Sequence, residues 1–188
     1  MSGADITSSD AMAEIRLAEE RDRQDIVDLF VSVNRELAPP DMNDAFEAYI
    51  ALCLSQEIEP FLRYYDPALG NGLWVAVVKG KIAGMYGLER VDIDVVELRR
   101  MYVGPGHRRK GLARQMLEHA ERTAENIGYR RMVLSTSELQ QAALAMYRAE
   151  GFRLVREETA QDKSNKTIGG GIVRFHFDKK LAMDPDRR

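Results

Sequence analysis

Between residues 95 and 128 the chain changes its hydrophobic period without leaving room for a domain boundary. VVELRRMYV, residues 95–103, reads as a strand and runs into the turn residues Gly104, Pro105 and Gly106. From Lys110 onward, Leu112, Ala113, Met116, Leu117, Ala120, Ala124 and Ile127 fall on one stripe at helical spacing, and Gly128 suits the left-handed position that closes a helix. A strand feeding a strongly amphipathic helix over 110–127 requires a layered α/β arrangement, because the stripe has to be buried against a sheet.

The flanking sequence extends this layer. Residues 14–18 alternate as a short strand. Ile26, Val27, Phe30, Val31 and Val33 or Asn34 mark a helix ending before Pro39-Pro40, and a second helix from about Asp41 carries Phe46, Tyr49, Ile50 and Cys53 on one face. LWVAVV, a Lys79-Gly80 turn and KIAGMYGLERV form a hairpin. After the long helix come a strand at 131–135, a helix at about 138–150 stopped by Gly151, a strand at 152–156, a polar loop that includes Gly169 to Gly171, and a last strand at 172–177. The order predicts a mixed sheet covered on both faces by helices, in one domain without repeats. Residues 1–13 and 182–188 read as tails around a domain at 14–181.

Composition narrows the function. A chain of 188 residues can bury a core without staples, and its single cysteine, Cys53, lies in an apolar helical stretch and reads as a small core residue. Net charge of −3 argues against broad capture of nucleic-acid phosphates, so any anion site is local. No apolar run approaches the roughly 18–20 residues of a membrane span, and the first residues are polar and acidic, so neither membrane insertion nor secretion is expected and a cytoplasmic location is. His107, His119 and His176 are scattered without paired ligands, and no metal is expected.

The local anion site is His107-Arg108-Arg109-Lys110-Gly111-Leu112-Ala113, where a strand ends and a helix begins. The first amides of a helix lack internal acceptors and sit at the positive end of its dipole, which suits a phosphate. Gly111 allows close approach to the backbone, and Arg108, Arg109, Lys110 and Arg114 add charge. A Walker loop would need Lys and then Ser or Thr after Gly111, and a dinucleotide fingerprint from Gly104 would need glycine at position 109; both fail.

What remains, Arg-x-x-Gly-x-Ala, resembles the pyrophosphate loop of the GNAT superfamily of acetyltransferases. The preceding strand ending Met101-Tyr102-Val103 and the later segment ALAMYRAEGF strengthen the likeness, which covers roughly residues 73–177. The resemblance implies a single-domain GNAT fold with a mixed, mostly antiparallel sheet, and acetyl-CoA as co-substrate. It implies that the backbone of Met101, Tyr102 and Val103 pairs with the pantetheine arm. It implies too that the amides of Arg108, Arg109, Lys110, Gly111, Leu112, Ala113 and Arg114 hold the pyrophosphate.

The same resemblance suggests roles for three side chains. Glu97, four residues before Met101, stands where some members place a general base; alternatively it is a solvated carboxylate or a partner of Arg99 or Arg131. Tyr147 stands where a tyrosine hydrogen-bonds the departing sulfur or protonates it as an acid, or else it packs beside Met146. Many relatives carry asparagine seven residues before that tyrosine; here the position is Gln140, whose amide could reach the cofactor, or the polar run around it could cap the helix at Thr136 or Ser137. Trp74, Phe61, Tyr64 and Tyr65 are either core or, with residues 57–69, a cover for the acceptor pocket.

The expected activity is transfer of an acetyl group to a primary amine of a small-molecule or amino-acid-like acceptor. The rivals are a non-catalytic CoA-binding module and a protein-lysine acetyltransferase. Pairing of the last strand across a homodimer is a further expectation.

Overall fold

The computed structural model describes residues 13–182. The tails expected at 1–13 and 182–188 therefore fall mostly outside the described residues; Ala13 itself is partly buried against the core.

Seven strands form one sheet: β1 (Glu14–Leu17), β2 (Gly72–Val78), β3 (Lys81–Arg90), β4 (Val95–Val103), β5 (Arg131–Ser137), β6 (Arg153–Ala160) and β7 (Ile172–Lys180). Their spatial order is β1-β2-β3-β4-β5-β7-β6. Every neighbouring pair is antiparallel except β4 and β5, the mixed and mostly antiparallel sheet that was expected. Among the described residues, five α-helices accompany it: α1 (Arg23–Leu37), α2 (Asn43–Cys53), α3 (Phe61–Tyr64), α4 (Leu112–Ile127) and α5 (Gln141–Ala149).

Alternation along the strands sends neighbouring side chains to opposite faces. Trp74 and Ala76 of β2 join a core with Met116, Leu117, Ala120 and Ala124 of α4 and with Leu144 and Tyr147 of α5. Leu73 and Val75 join a second core with Ile26, Phe30 and Val33 of α1 and with Tyr49, Ile50 and Cys53 of α2. The two clusters are the two covered faces. Cys53 is fully buried, and burial pushes its thiol pKa up, which leaves it a poor nucleophile.

Several boundaries differ from the sequence reading. The helix expected from 138 begins at Gln141, because β5 runs on to Ser137 and Glu138 extends the ladder: its amide donates to Val173 O and its Oε1 accepts from Val173 N, both at 2.9 Å. Neither Thr136 nor Ser137 caps α5, whose N-cap is Gln140. The strand expected at 152–156 reaches Ala160; it is the sheet's edge, mostly solvated, so its polar residues carry no period-2 signal. The last strand is interior, with β5 on one side and β6 on the other, so it has no free edge to pair across a dimer.

Candidate active site

The site arises where β4 leaves β5. The two strands are in register from Val95↔Arg131 to Leu98↔Leu134 and no further, although both continue. The cause is a bulge on β4: Gly87 opposes Arg99 and Met85 opposes Tyr102, so Tyr86 faces two residues, one of which, Arg100, has φ of 52°. A bulge bends its strand and adds twist, and here it turns Met101–Val103 away from β5 with that edge unpaired.

A left-handed arginine is strained, and the surroundings hold it. Arg100 Nε donates to Glu57 Oε1 at 2.8 Å and its Nη2 to Glu57 Oε2 at 2.6 Å, while Nη1 donates to Tyr49 Oη at 2.7 Å. Arg99 Nη2 donates to the same Glu57 Oε2 at 2.8 Å, and Arg99 also pairs with Glu89. Tyr65 donates to Glu57, and Arg99 Nη1 donates to Tyr64 Oη at 2.7 Å. Glu57 itself comes from a wide helical turn at Leu54–Ile58 that follows α2, and it is completely buried. Of the two readings weighed for the aromatic segment, core holds for Phe61 and Tyr65; Tyr64 reaches the charged cluster, and no residue of 57–69 lines either of the site's two cavities. Trp74 is core and stacks on Tyr86 with centroids 5.3 Å apart.

Beyond the point where β4 and β5 part lies a cleft of about 750 Å³. Met101, Tyr102 and Val103 line one wall, α5 lines the other through Gln140 and Tyr147, and the loop before α4 closes one end. That loop alternates in hand: Arg109 has φ of 59° and Gly111 of 78°. Such alternation turns successive N–H groups to one side and makes an anion-holding concavity. Gln115 is the first α4 residue whose amide reaches a helical acceptor, Gly111 O at 3.1 Å, and Gly111, Leu112, Ala113 and Arg114 before it line the cleft.

The loop's cations are less free than the sequence suggests. Arg108 is paired with Glu36 at 2.6 Å and donates from Nε to Val103 O at 3.0 Å; Arg114 pairs with Glu150 at 3.0 Å; Lys110 Nζ donates to Gly106 O at 2.9 Å. Backbone amides therefore carry most of what the loop offers an anion, joined by Lys110 and Arg109, neither of which has an ion pair among the described residues.

Tyr147 stands where the cleft meets a second, smaller cavity of about 110 Å³. Its ring packs on Phe152 and Phe177, at 5.6 and 6.3 Å between centroids. No buried side-chain polar atom among the described residues lacks a partner, and the hydroxyl has none, so it opens on the cavity. Burial raises the phenol's pKa far above its usual value, which keeps it protonated. Gln140 lines both spaces; its Oε1 accepts from Thr136 Oγ1 at 2.8 Å, leaving its amide nitrogen as the group on offer.

Glu97 lines the smaller cavity, and its partner is neither Arg99 nor Arg131 but Lys166, whose Nζ is 2.5 Å from Glu97 Oε2. Lys166 belongs to the loop between β6 and β7, tied down by Asn165, whose carbonyl accepts from Arg100 Nη2 at 2.6 Å. Sequence reasoning passed over Lys166, Glu57, Arg100 and Arg174. The signal that could have found one of them is the Arg99-Arg100 pair inside a strand that otherwise reads as buried. Among the described residues, no group of three or more His, Cys, Asp or Glu is placed to hold a metal.

The sequence profile described as "Acetyltransferase (GNAT) family" matches residues 25–152. The chain belongs to this family. Among curated members it is similar to N-acetyltransferase family 8 member 3 of Rattus norvegicus, 34% identical over 60% of this chain and 51% of that one. It is also similar to N-acetylaspartate synthetase of Danio rerio, 33% identical over 58% of this chain and 39% of that one. The chain spans about half, or less, of the length of these GNAT relatives. Among solved structures, a GNAT acetyltransferase of Streptococcus pneumoniae superposes with TM-score 0.70 at 24% identity. The PaiA N-acetyltransferase of Thermoplasma acidophilum, solved with coenzyme A, does so with TM-score 0.71 at 17% identity. Each comparison covers 90% of this chain and 99% of the other, and both establish the shared GNAT fold.

Proposed function

We propose that residues 14–181 form an N-acetyltransferase domain that moves an acetyl group from acetyl-CoA to the primary amine of a small-molecule or amino-acid-like acceptor. The observation that carries the reading is the cleft itself. An unpaired strand edge at Met101–Val103 leads from an anion-holding loop at 108–114 to Tyr147, and the cleft continues there into a polar cavity holding Glu97. The residues fit coenzyme A in kind: a strand edge for the amides of pantetheine, and loop amides for its pyrophosphate.

In this reading the two cavities hold donor and acceptor side by side, and most of the acceleration comes from that proximity. An alkylammonium titrates near ~10, so the acceptor has to lose a proton before it attacks, and Glu97 accepts it directly or through water. Tyr147 hydrogen-bonds the departing sulfur. With its pKa raised by burial, the phenol stabilises the thiolate as a donor and does not hand over its proton. Gln140 supplies an amide to the cofactor.

A small acceptor is favoured over a protein lysine because the second cavity has room for only about 110 Å³ and the loop that carries Asn165 and Lys166 lines it. The name of one relative, N-acetylaspartate synthetase, points the same way, towards an amino-acid-like acceptor. A cytoplasmic setting belongs to the same proposal. The test is calorimetry with coenzyme A, followed by a free-thiol release assay with acetyl-CoA against an amine panel. Uptake of CoA with acceptor-dependent thiol release is expected; no uptake overturns the reading, and uptake without release from any amine leaves a CoA-binding module in its place.

A further inference from the structure

The smaller cavity has more positive charge than the cluster around it neutralises, and the excess sits on one residue. Of the cations that line it, Arg99 and Arg100 are matched by Glu57 and Glu89, and Lys166 is matched by Glu97. Arg174 is the remainder. Its side chain is only 11% exposed, yet its nearest carboxylate oxygen, on Glu158, is 3.7 Å away. Glu158 is already engaged more closely by Arg156 at 2.8 Å and by His176 at 3.0 Å. Arg174 otherwise donates to the hydroxyl of Ser135, which also lines the cavity. Burial presses the guanidinium's pKa down, and the surrounding anions do not restore it. Leaving an arginine buried and short of an anion is costly unless something arrives to pair with it.

The fold brings this residue to the same cavity as Glu97. Arg174 lies on β7, in register with Ser137 of β5, and Glu97 lies on β4, in register with Val133 of β5 just before β4 and β5 part; both side chains line the smaller cavity. One cavity therefore has both a carboxylate and an under-neutralised guanidinium among its lining side chains. The ammonium of Lys166 already rests on Glu97 and marks where a cationic amine sits.

Resting on the acetyltransferase reading, we propose that the acceptor is an amine that also carries a carboxylate, with Arg174 binding that carboxylate beside Ser135 and so determining specificity. The acceptor's ammonium takes the place of Lys166 at Glu97 and gives up its proton there. The nitrogen then forms its bond to the acetyl carbon as the carbon–sulfur bond breaks, the thiolate leaves, and the second proton lost from the new amide nitrogen passes to that thiolate, giving coenzyme A as the free thiol. Arg174 takes no part in the bond changes; it orients the acceptor by a planar, charge-assisted pair.

The experiment measures thiol release by the full chain with free amino acids, with the same compounds as carboxamides, and with carboxylate-free diamines, after calorimetry has established coenzyme A uptake. Free amino acids are expected to exceed their carboxamides in kcat/KM by at least tenfold. Arg174→Gln is expected to raise KM for a free amino acid about ten- to hundredfold, the loss of one charge-assisted pair, with little change in turnover of a carboxamide. Arg174→Lys is expected to recover part of the loss. A merely structural Arg174 would instead depress both substrates alike. Equal or better turnover of carboxamides or diamines by the unaltered chain overturns the proposal, as does coenzyme A uptake without turnover of any carboxylated amine. Absence of coenzyme A uptake instead overturns the acetyltransferase reading beneath it.

Discussion

The ammonium of Lys166 lies 2.5 Å from the carboxylate of Glu97, although 69 residues separate them. The lysine is 42% exposed and the glutamate 13%, so the pair sits at the rim of the smaller cavity with Glu97 on the inner side. Any amine that is to surrender a proton to Glu97 has to displace this contact.

Removing the competitor should therefore help the acceptor. Lys166→Ala is expected to lower the acceptor KM about three- to fivefold, the scale of a partly exposed ion pair, without raising kcat. Glu97→Gln is expected to reduce kcat/KM about a hundredfold and to change the shape of its pH profile. Steady-state kinetics over a pH series checks both; an unaltered profile in Glu97→Gln removes the glutamate from the proton transfer.

For Tyr147 the prediction separates chemistry from packing. Its ring is held by Phe152 and Phe177, so Tyr147→Phe keeps the core contacts and loses only the hydroxyl that opens on the cavity. Turnover is expected to fall about ten- to hundredfold, the worth of one hydrogen bond to a charged sulfur, while coenzyme A affinity stays within about twofold. Turnover equal to that of the unaltered chain would assign Tyr147 to the core alone.

These contrasts also show where sequence reasoning stops. The long α4, the glycines at both its ends and the seven strands are legible because each rests on a local period or a positive-φ turn. The bulge at Arg100 is not legible, because it depends on how β3 and β4 pair and on which partners hold a strained arginine. Glu57 sits 42 and 43 residues before the arginines it neutralises, and Arg174 comes to the cavity only through the order β4-β5-β7. Loop cations such as Arg108 and Arg114 read as phosphate ligands until the carboxylates of Glu36 and Glu150, remote in sequence, are placed beside them.

The buried cluster gives a stability prediction with a definite sign. Burial works to raise the pKa of Glu57, but the hydrogen bonds and charges of Arg100 and the charge of Arg99 outweigh it, and the folded carboxyl titrates below its usual range. The folded state thus keeps Glu57 ionised where the unfolded chain would take up a proton. Its contribution is present above the ordinary glutamate value of ~4.3 and is lost as the pH falls through the folded value. Glu57→Gln leaves two arginines short of a buried anion and is expected to cost about 3–5 kcal/mol in denaturant unfolding at neutral pH. The variant's stability should also decline less than the unaltered chain's below pH ~4. A loss under about 1 kcal/mol would mean that Glu89 alone neutralises the pair.

The loop before α4 offers the sharpest test of backbone geometry. Gly111 has φ of 78°, and a Cβ added there would meet no atom within 4 Å, so the objection to a side chain is conformational and not steric. Alanine in the left-handed region costs about 1–2 kcal/mol, which for a domain of this size lowers Tm by roughly 2–8 °C. Two responses are open to Gly111→Ala. If the chain keeps the left-handed turn, the amides stay aligned and only the close approach of a phosphate is hindered. If it relaxes, the alternation of hand begun at Arg109 is broken and the first amides of α4 no longer converge. Either response weakens anion binding, so the dissociation constant for coenzyme A is expected to rise about tenfold or more. Affinity for a pantetheine fragment lacking the pyrophosphate should change little, because that fragment meets only the strand edge at Met101–Val103. Calorimetry with the two ligands checks this, and parallel losses for both would place the pyrophosphate away from the loop.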